Sequence, residues 1–78
     1  MNNSVPLRSL KVGQRATITR VNATGEMGRR IRDMGLVPGC QLEVTGHAPL
    51  QDPVALRLSG FILTLRNNEA DYITVELI

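Results

Sequence analysis

The chain has 78 residues, enough for one small domain with a thin core. Hydrophobic residues make up 42% and charged residues 21%, which excludes a disordered chain, and a single cysteine excludes an intrachain disulfide. The net charge is only +2, from eight Arg and one Lys against seven acids, and Phe61 and Tyr72 are the only aromatics; both facts count against a dedicated nucleic-acid binder.

Residues 1–6 read as a flexible N-terminus ahead of one domain over residues 7–78. Met1-Asn2-Asn3-Ser4 has neither the basic nor the apolar region of a secretory signal. The densest apolar run, Gly60 to Leu65, is far short of the roughly 18–20 residues of a membrane span. The expected location is therefore the cytoplasm. Pro6 to Leu10 fits one helical turn that starts on Ser4 or Val5, with Leu7 and Leu10 on one face. Gln14 to Val21 alternates: Ala16 and Ile18 face one way, Arg15, Thr17 and Thr19 the other. Such a half-buried strand loses phase at Arg20-Val21, a bulge or the strand's end.

Thr24 to Gly35 switches to a helical period. Met27, Ile31 and Met34 form an apolar stripe, and Arg29, Arg30, Arg32 and Asp33 fill the other faces. Asn22 or Thr24 is placed to cap the start, and Glu26 suits the positive end of the helix dipole. Gly28 costs about 1 kcal/mol against Ala in a helix, so close packing is expected there. Gly35 takes the left-handed position after the helix, with Leu36 folding back on Ile31 in a Schellman ending.

Val37-Pro38-Gly39-Cys40 carries the signature of a type II turn. Cys40, Leu42 and Val44 alternate in a second strand. A loop over residues 48–53 is stiffened by Pro49 and Pro53. Val54, Leu56 and Leu58 form the inward face of a third strand, Ser59-Gly60 marks a tight hairpin, and Phe61, Leu63 and Leu65 form the fourth strand. Asn67 to Asp71 is a turn, and Ile73, Val75 and Leu77 alternate in the last strand. About five short strands with one helix lack the βα alternation of a parallel sheet. The expected fold is mainly β: a small SH3-like barrel with the helix between strands one and two covering one end. An OB-like barrel is the rival; its helix usually lies later in the chain.

Four segments carry a family resemblance. Arg30-Ile31-Arg32-Asp33-Met34-Gly35-Leu36-Val37-Pro38-Gly39 resembles the helix-and-turn motif of the FeoA family. Ala48-Pro49-Leu50-Gln51-Asp52-Pro53-Val54 is similar to its proline loop, with Gln51 in place of the usual Gly. Leu65-Arg66-Asn67-Asn68-Glu69-Ala70, followed by Ile73 and Val75, resembles its third signature. Leu7 to Gly13 is similar to its opening. Ile31 and Met34 stand where Leu is common. The resemblance implies an SH3-like barrel with added helical elements and a small cytoplasmic accessory of bacterial ferrous-iron uptake. It implies FeoB as partner, a membrane permease with a cytoplasmic GTP-binding domain, so any membrane association is indirect. A similar domain ends some DtxR-type iron-dependent repressors; this chain has no room for their other domains.

No catalytic constellation, cofactor motif or metal-ligand spacing stands out. Cys40 and His47 are seven apart and face opposite sides of an unbroken strand, although Gly46 offers a bend. Three readings fit Arg29, Arg30 and Arg32: a finger into the partner's GTP site, a patch for anionic headgroups or an acidic protein surface, or a solvated helix face. The apolar stripe is core in the first instance, with a rim through Leu36, Val37 and Leu50. The expected docking surface is therefore the helix and the proline loop: Met27, Arg29, Arg30, Arg32, Met34, Leu36, Val37, Pro49, Leu50 and Asp52. Gly35, Pro38, Gly39, Pro53 and Gly60 have structural roles. The rival function is an SH3-like nucleic-acid-binding module.

Overall fold

The computed structural model describes residues 4–47 and 53–78. Their elements are β1 (Ser4–Pro6), a 3₁₀ turn (Leu7–Ser9), β2 (Arg15–Val21), α1 (Gly25–Asp33), β3 (Gln41–His47), β4 (Val54–Leu58), β5 (Phe61–Leu65), α2 (Asn67–Ala70) and β6 (Ile73–Leu77). All strand pairs are antiparallel, in one six-stranded sheet of order β1-β6-β2-β3-β4-β5. The sheet curls around a core that includes Ile18, Ile31, Leu36, Val44, Leu56, Leu65, Ile73 and Val75.

The extra strand is β1, which corrects the expectation of a flexible end through residue 6. Ser4, Val5 and Pro6 pair with Glu76, Val75 and Thr74, and Val5 packs on the core. The helical turn consequently starts at Leu7, not at Ser4 or Val5, because Pro6 is held extended at φ −64° and ψ 143°. The Ser9 hydroxyl donates to the Pro6 carbonyl at 2.7 Å and closes the turn.

α1 packs as the sequence indicates. Thr24 occupies the N-cap position with extended backbone, but its side chain makes no cap bond. At the other end, the Leu36 N–H donates to the Ile31 carbonyl at 3.3 Å and the Gly35 N–H to Arg32 at 2.9 Å, with Gly35 at φ 90°. This is the Schellman ending, and it buries Leu36 beside Ile31 in the core. The next turn closes through Cys40 N–H to Val37 carbonyl, 3.0 Å, with Gly39 at φ 93°. Reciprocal bonds of 2.8 Å, Gly39 N–H to Ile18 carbonyl and Ile18 N–H to Cys40 carbonyl, fasten that turn to β2. The register slips between Ile18 and Arg20 against β6, where the alternation breaks, and between Val44 and Gly46 against β4, where glycine allows the bend.

Two strand ends depart from expectation. Leu65 is fully buried and Leu63 partly so, but Phe61 is 49% exposed. Leu77 is exposed as well, although Ile73 and Val75 are buried. The alternation places these side chains on the correct face, but the ends of β5 and β6 run past the core. β5 also lies at the edge of the sheet, so no strand among the described residues flanks Phe61 on its outer side.

Candidate functional site

The expected docking residues divide once the chain is folded. Met27 and Met34, at the two ends of the apolar stripe, are half-buried against the core, whereas Ile31 between them is fully buried. Leu36 is also fully buried, so it belongs to the core and not to a docking rim. The Schellman turn puts it there. Val37, one residue further, is 40% exposed. Pro49, Leu50 and Asp52 lie outside the described residues.

The three arginines have different fates. The Arg30 Nη2 donates to Glu69 Oε2 at 2.8 Å, and the Arg66 backbone N–H donates to the other carboxylate oxygen at 3.0 Å. Glu69 itself is only 5% exposed. The cause is local: Glu69 is the third residue of α2, so its carboxylate reaches back to the N-cap N–H, half of a capping box. Arg30 thus fastens α1 to α2 while its side chain stays exposed on the helix. Arg29 makes a long 3.4 Å contact with Glu26 one turn away, both exposed, of the kind that contributes about 0–0.5 kcal/mol. Arg32 is exposed and forms no ion pair among the described residues. Sequence reading missed Glu69 because no Ser, Thr, Asp or Asn precedes it at the cap position.

An open cleft of about 530 Å³ lies between Met34, the C-cap of α1, and Pro53 at the end of the proline loop. Thr64, Arg66 and Asp33 line it, and the Arg30–Glu69 pair is part of its wall. Of the proline loop, only Pro53, expected to have a structural role, is among the lining residues. Residues 5–77 match the family model of the FeoA domain.

The chain belongs to the FeoA family.

Among FeoA relatives, the Fe(2+) transport protein A/Fe(2+) transporter FeoB fusion protein of Porphyromonas gingivalis is 42% identical over 72 residues. The match takes in 92% of this chain and 8% of that protein. The FeoA-like protein of Clostridium acetobutylicum superposes with a TM-score of 0.90 at 35% identity, covering 100% of this chain and 91% of the other. FeoA of Stenotrophomonas maltophilia, a prokaryotic SH3 domain protein solved with zinc, has a TM-score of 0.78 at 24% identity, covering 92% and 89%. The fold is thus the SH3-like one of FeoA domains.

Cys40 and His47 are the two residues whose metal-ligand spacing the sequence raised. Cys40 Sγ lies 3.6 Å from the Gln41 carbonyl, and burial pushes its thiol above the ordinary value, which disfavours the thiolate a metal needs. The His47 Nδ1 is buried without a hydrogen-bond partner. Among the described residues, no group of three His, Cys, Asp or Glu side chains converges to hold a metal ion. No helix among them is long and apolar enough to cross a membrane.

Proposed function

We propose that this chain is a cytoplasmic accessory of bacterial ferrous-iron uptake. It binds the cytoplasmic region of a FeoB-type permease and supports its assembly or GTP-dependent activity. The observation that carries this reading is the fusion relative, in which a 42% identical FeoA domain shares one polypeptide with FeoB. Fusion keeps two modules at roughly millimolar effective concentration, which is useful for modules that act together. Iron in this scheme is the permease's cargo and not a resident of this chain.

The surface that suits docking is the C-terminal half of α1 and the cleft beside it. Met34 and Val37 supply apolar contact, Arg32 an uncommitted guanidinium, and Pro53 a stiff wall that loses little entropy on binding. The nucleic-acid alternative is weakened by the charge distribution, since Arg8, Arg29 and Arg30 already face Asp71, Glu26 and Glu69.

The test is calorimetric titration of the permease's cytoplasmic region with this chain, with and without guanine nucleotide. Saturable binding tighter than about 100 µM is expected, weakened by Arg32→Glu with an unchanged melting curve. No binding to the permease, together with retention on heparin at ~0.15 M salt, would overturn the reading in favour of the nucleic-acid module.

A further inference from the structure

The two edges of the sheet are built differently. β1 is three residues long, ends in Pro6, which has no N–H to donate, and runs straight into the 3₁₀ turn. Such an edge is protected against strand addition. β5 has none of these guards. It has five residues, no proline, no charge, and an unbroken register against β4 from Val54↔Leu65 to Leu58↔Phe61. The two-residue turn Ser59-Gly60 makes Leu58 and Phe61 a hydrogen-bonded pair. The ladder's alternation then turns the backbone groups of Ile62 and Thr64 away from β4. Neither residue has a backbone bond elsewhere among the described residues. The open edge therefore offers two donors and two acceptors.

Apolar side chains stand on both faces of this edge, with Thr64 the one polar residue of β5. Ile62 is 59% exposed beside Arg57, its own partner in the β4–β5 ladder. Phe61 emerges on the other face against the end of α1, where a Cβ on Gly35 would lie 3.8 Å from its ring. The edge is thus continuous with the α1 surface that carries Met34 and Val37.

Charge selects the occupant. The hairpin from Val54 to Arg66 contains Arg57 and Arg66 and no acid, and neither arginine is in an ion pair among the described residues. Both are exposed, one near each end of β5. Nearby, Glu69 is committed to Arg30, Asp33 shares the cleft with Arg66 without an ion pair to it among the described residues, and Glu43 faces Arg57 from β3, on the side away from β5. Two copies joined along β5 would bring four guanidinium groups and no hairpin carboxylate to one seam. An extended segment with carboxylates at its ends meets no such repulsion.

We propose that the partner seated on the α1 surface also reaches the outer edge of β5 and adds there an extended segment that is apolar in its middle and acidic at its flanks. Backbone bonds to Ile62 and Thr64 set its register, Phe61 and Ile62 take its apolar side chains, and Arg57 and Arg66 take its acids. The proposal rests on the reading of the permease as partner.

The experiment is amide hydrogen exchange, read by NMR, on the full chain alone and with the permease's cytoplasmic region. The Ile62 and Thr64 amides should exchange freely in the unbound chain and slow by about tenfold or more in the complex. Ile62→Glu and Arg66→Glu should each weaken binding about tenfold or more at unchanged melting temperature, while Arg20→Glu on β2 should not. Binding that leaves the Ile62 and Thr64 amides unprotected would overturn the edge-docking proposal and leave the partner assignment standing. Absence of any binding by the unmodified chain would overturn both. Protection of these amides in the unbound chain, with a dimeric mass, would assign the edge to a second copy and overturn the proposal.

Discussion

Replacing Gly28 by Ala in this chain should destabilise it, the opposite of what helix propensity alone dictates. In an exposed helix interior, Gly→Ala gains about 1 kcal/mol. Here the added Cβ would sit 2.5 Å from the Ala23 carbonyl oxygen and 3.0 Å from its carbon. Both are backbone atoms of a segment that cannot swing away cheaply. The next residue, Asn22 on its N-terminal side, donates its N–H to the Tyr72 carbonyl at 2.7 Å, and Thr24 accepts from the Gly28 N–H at 3.3 Å. The third neighbour, Arg32 Nη1 at 3.3 Å, is the tip of a flexible side chain and moves aside freely. Overpacking costs roughly 1–3 kcal/mol, and an approach this close to backbone belongs at the upper end. Subtracting the propensity gain leaves a net loss of about 2 kcal/mol, or on the order of 8–16 °C in Tm for a domain of this size. Thermal unfolding followed by circular dichroism reads this directly. Gly46→Ala is the control, because its Cβ meets nothing within 4 Å and should leave the Tm level or slightly raised. If Gly28→Ala melts at or above the unmodified chain, the tight seat of α1 on Ala23 is refuted.

Gly35→Val should cost about 1–2 kcal/mol, read by denaturant titration, because φ 90° is strained for any β-branched residue; an unchanged midpoint would contradict the Schellman geometry. Arg30→Ala should lose on the order of 1–3 kcal/mol by leaving the buried Glu69 carboxylate with only the Arg66 N–H, whereas Arg29→Ala should stay within about 0.5 kcal/mol. Equal effects of the two would show that the Arg30–Glu69 fastening is weak. Burial raises the Cys40 pKa, so its contribution to stability is full below the ordinary value and is lost as pH rises through the raised one. A thiol reagent at about pH 8 should therefore react more slowly with the native chain than with the unfolded one, and equal rates would contradict this. Calorimetry with ferrous iron or zinc should show no saturable site tighter than roughly micromolar; a one-to-one site abolished by His47→Ala would overturn that expectation.

The features legible in the sequence were those whose causes lie within a few residues. Gly35 with Leu36, and Pro38 with Gly39, specify their turns through local backbone chemistry, and both turns formed. Gly28 signalled close packing because nothing else justifies glycine inside a helix. β1 was illegible because three residues ending in Pro6 carry no period, and their partner β6 stands at the far end of the chain. Phe61 shows a different limit: alternation tells which face a side chain takes but not whether anything covers it, and coverage depends on which strand ends the sheet. The site was half legible for the same reason. The positions of Arg29, Arg30 and Arg32 on a helix were clear, but Arg30's partner is 39 residues away, and only the folded chain brings them together.

The strand order also governs when this domain comes into being. β6, last in chain order, is sandwiched between β1 and β2, so Ile18 waits for Val75 before its side of the sheet exists. In the native order, β2 has no partner on that flank other than β6 among the described residues. Such distant pairing places folding in the roughly millisecond-to-second range rather than the microsecond range of small helical proteins. When the domain is joined ahead of a much larger polypeptide, that final strand is also the tether. A pull on the tether is then applied to the strand that binds both of its neighbours, and the whole domain resists as one unit.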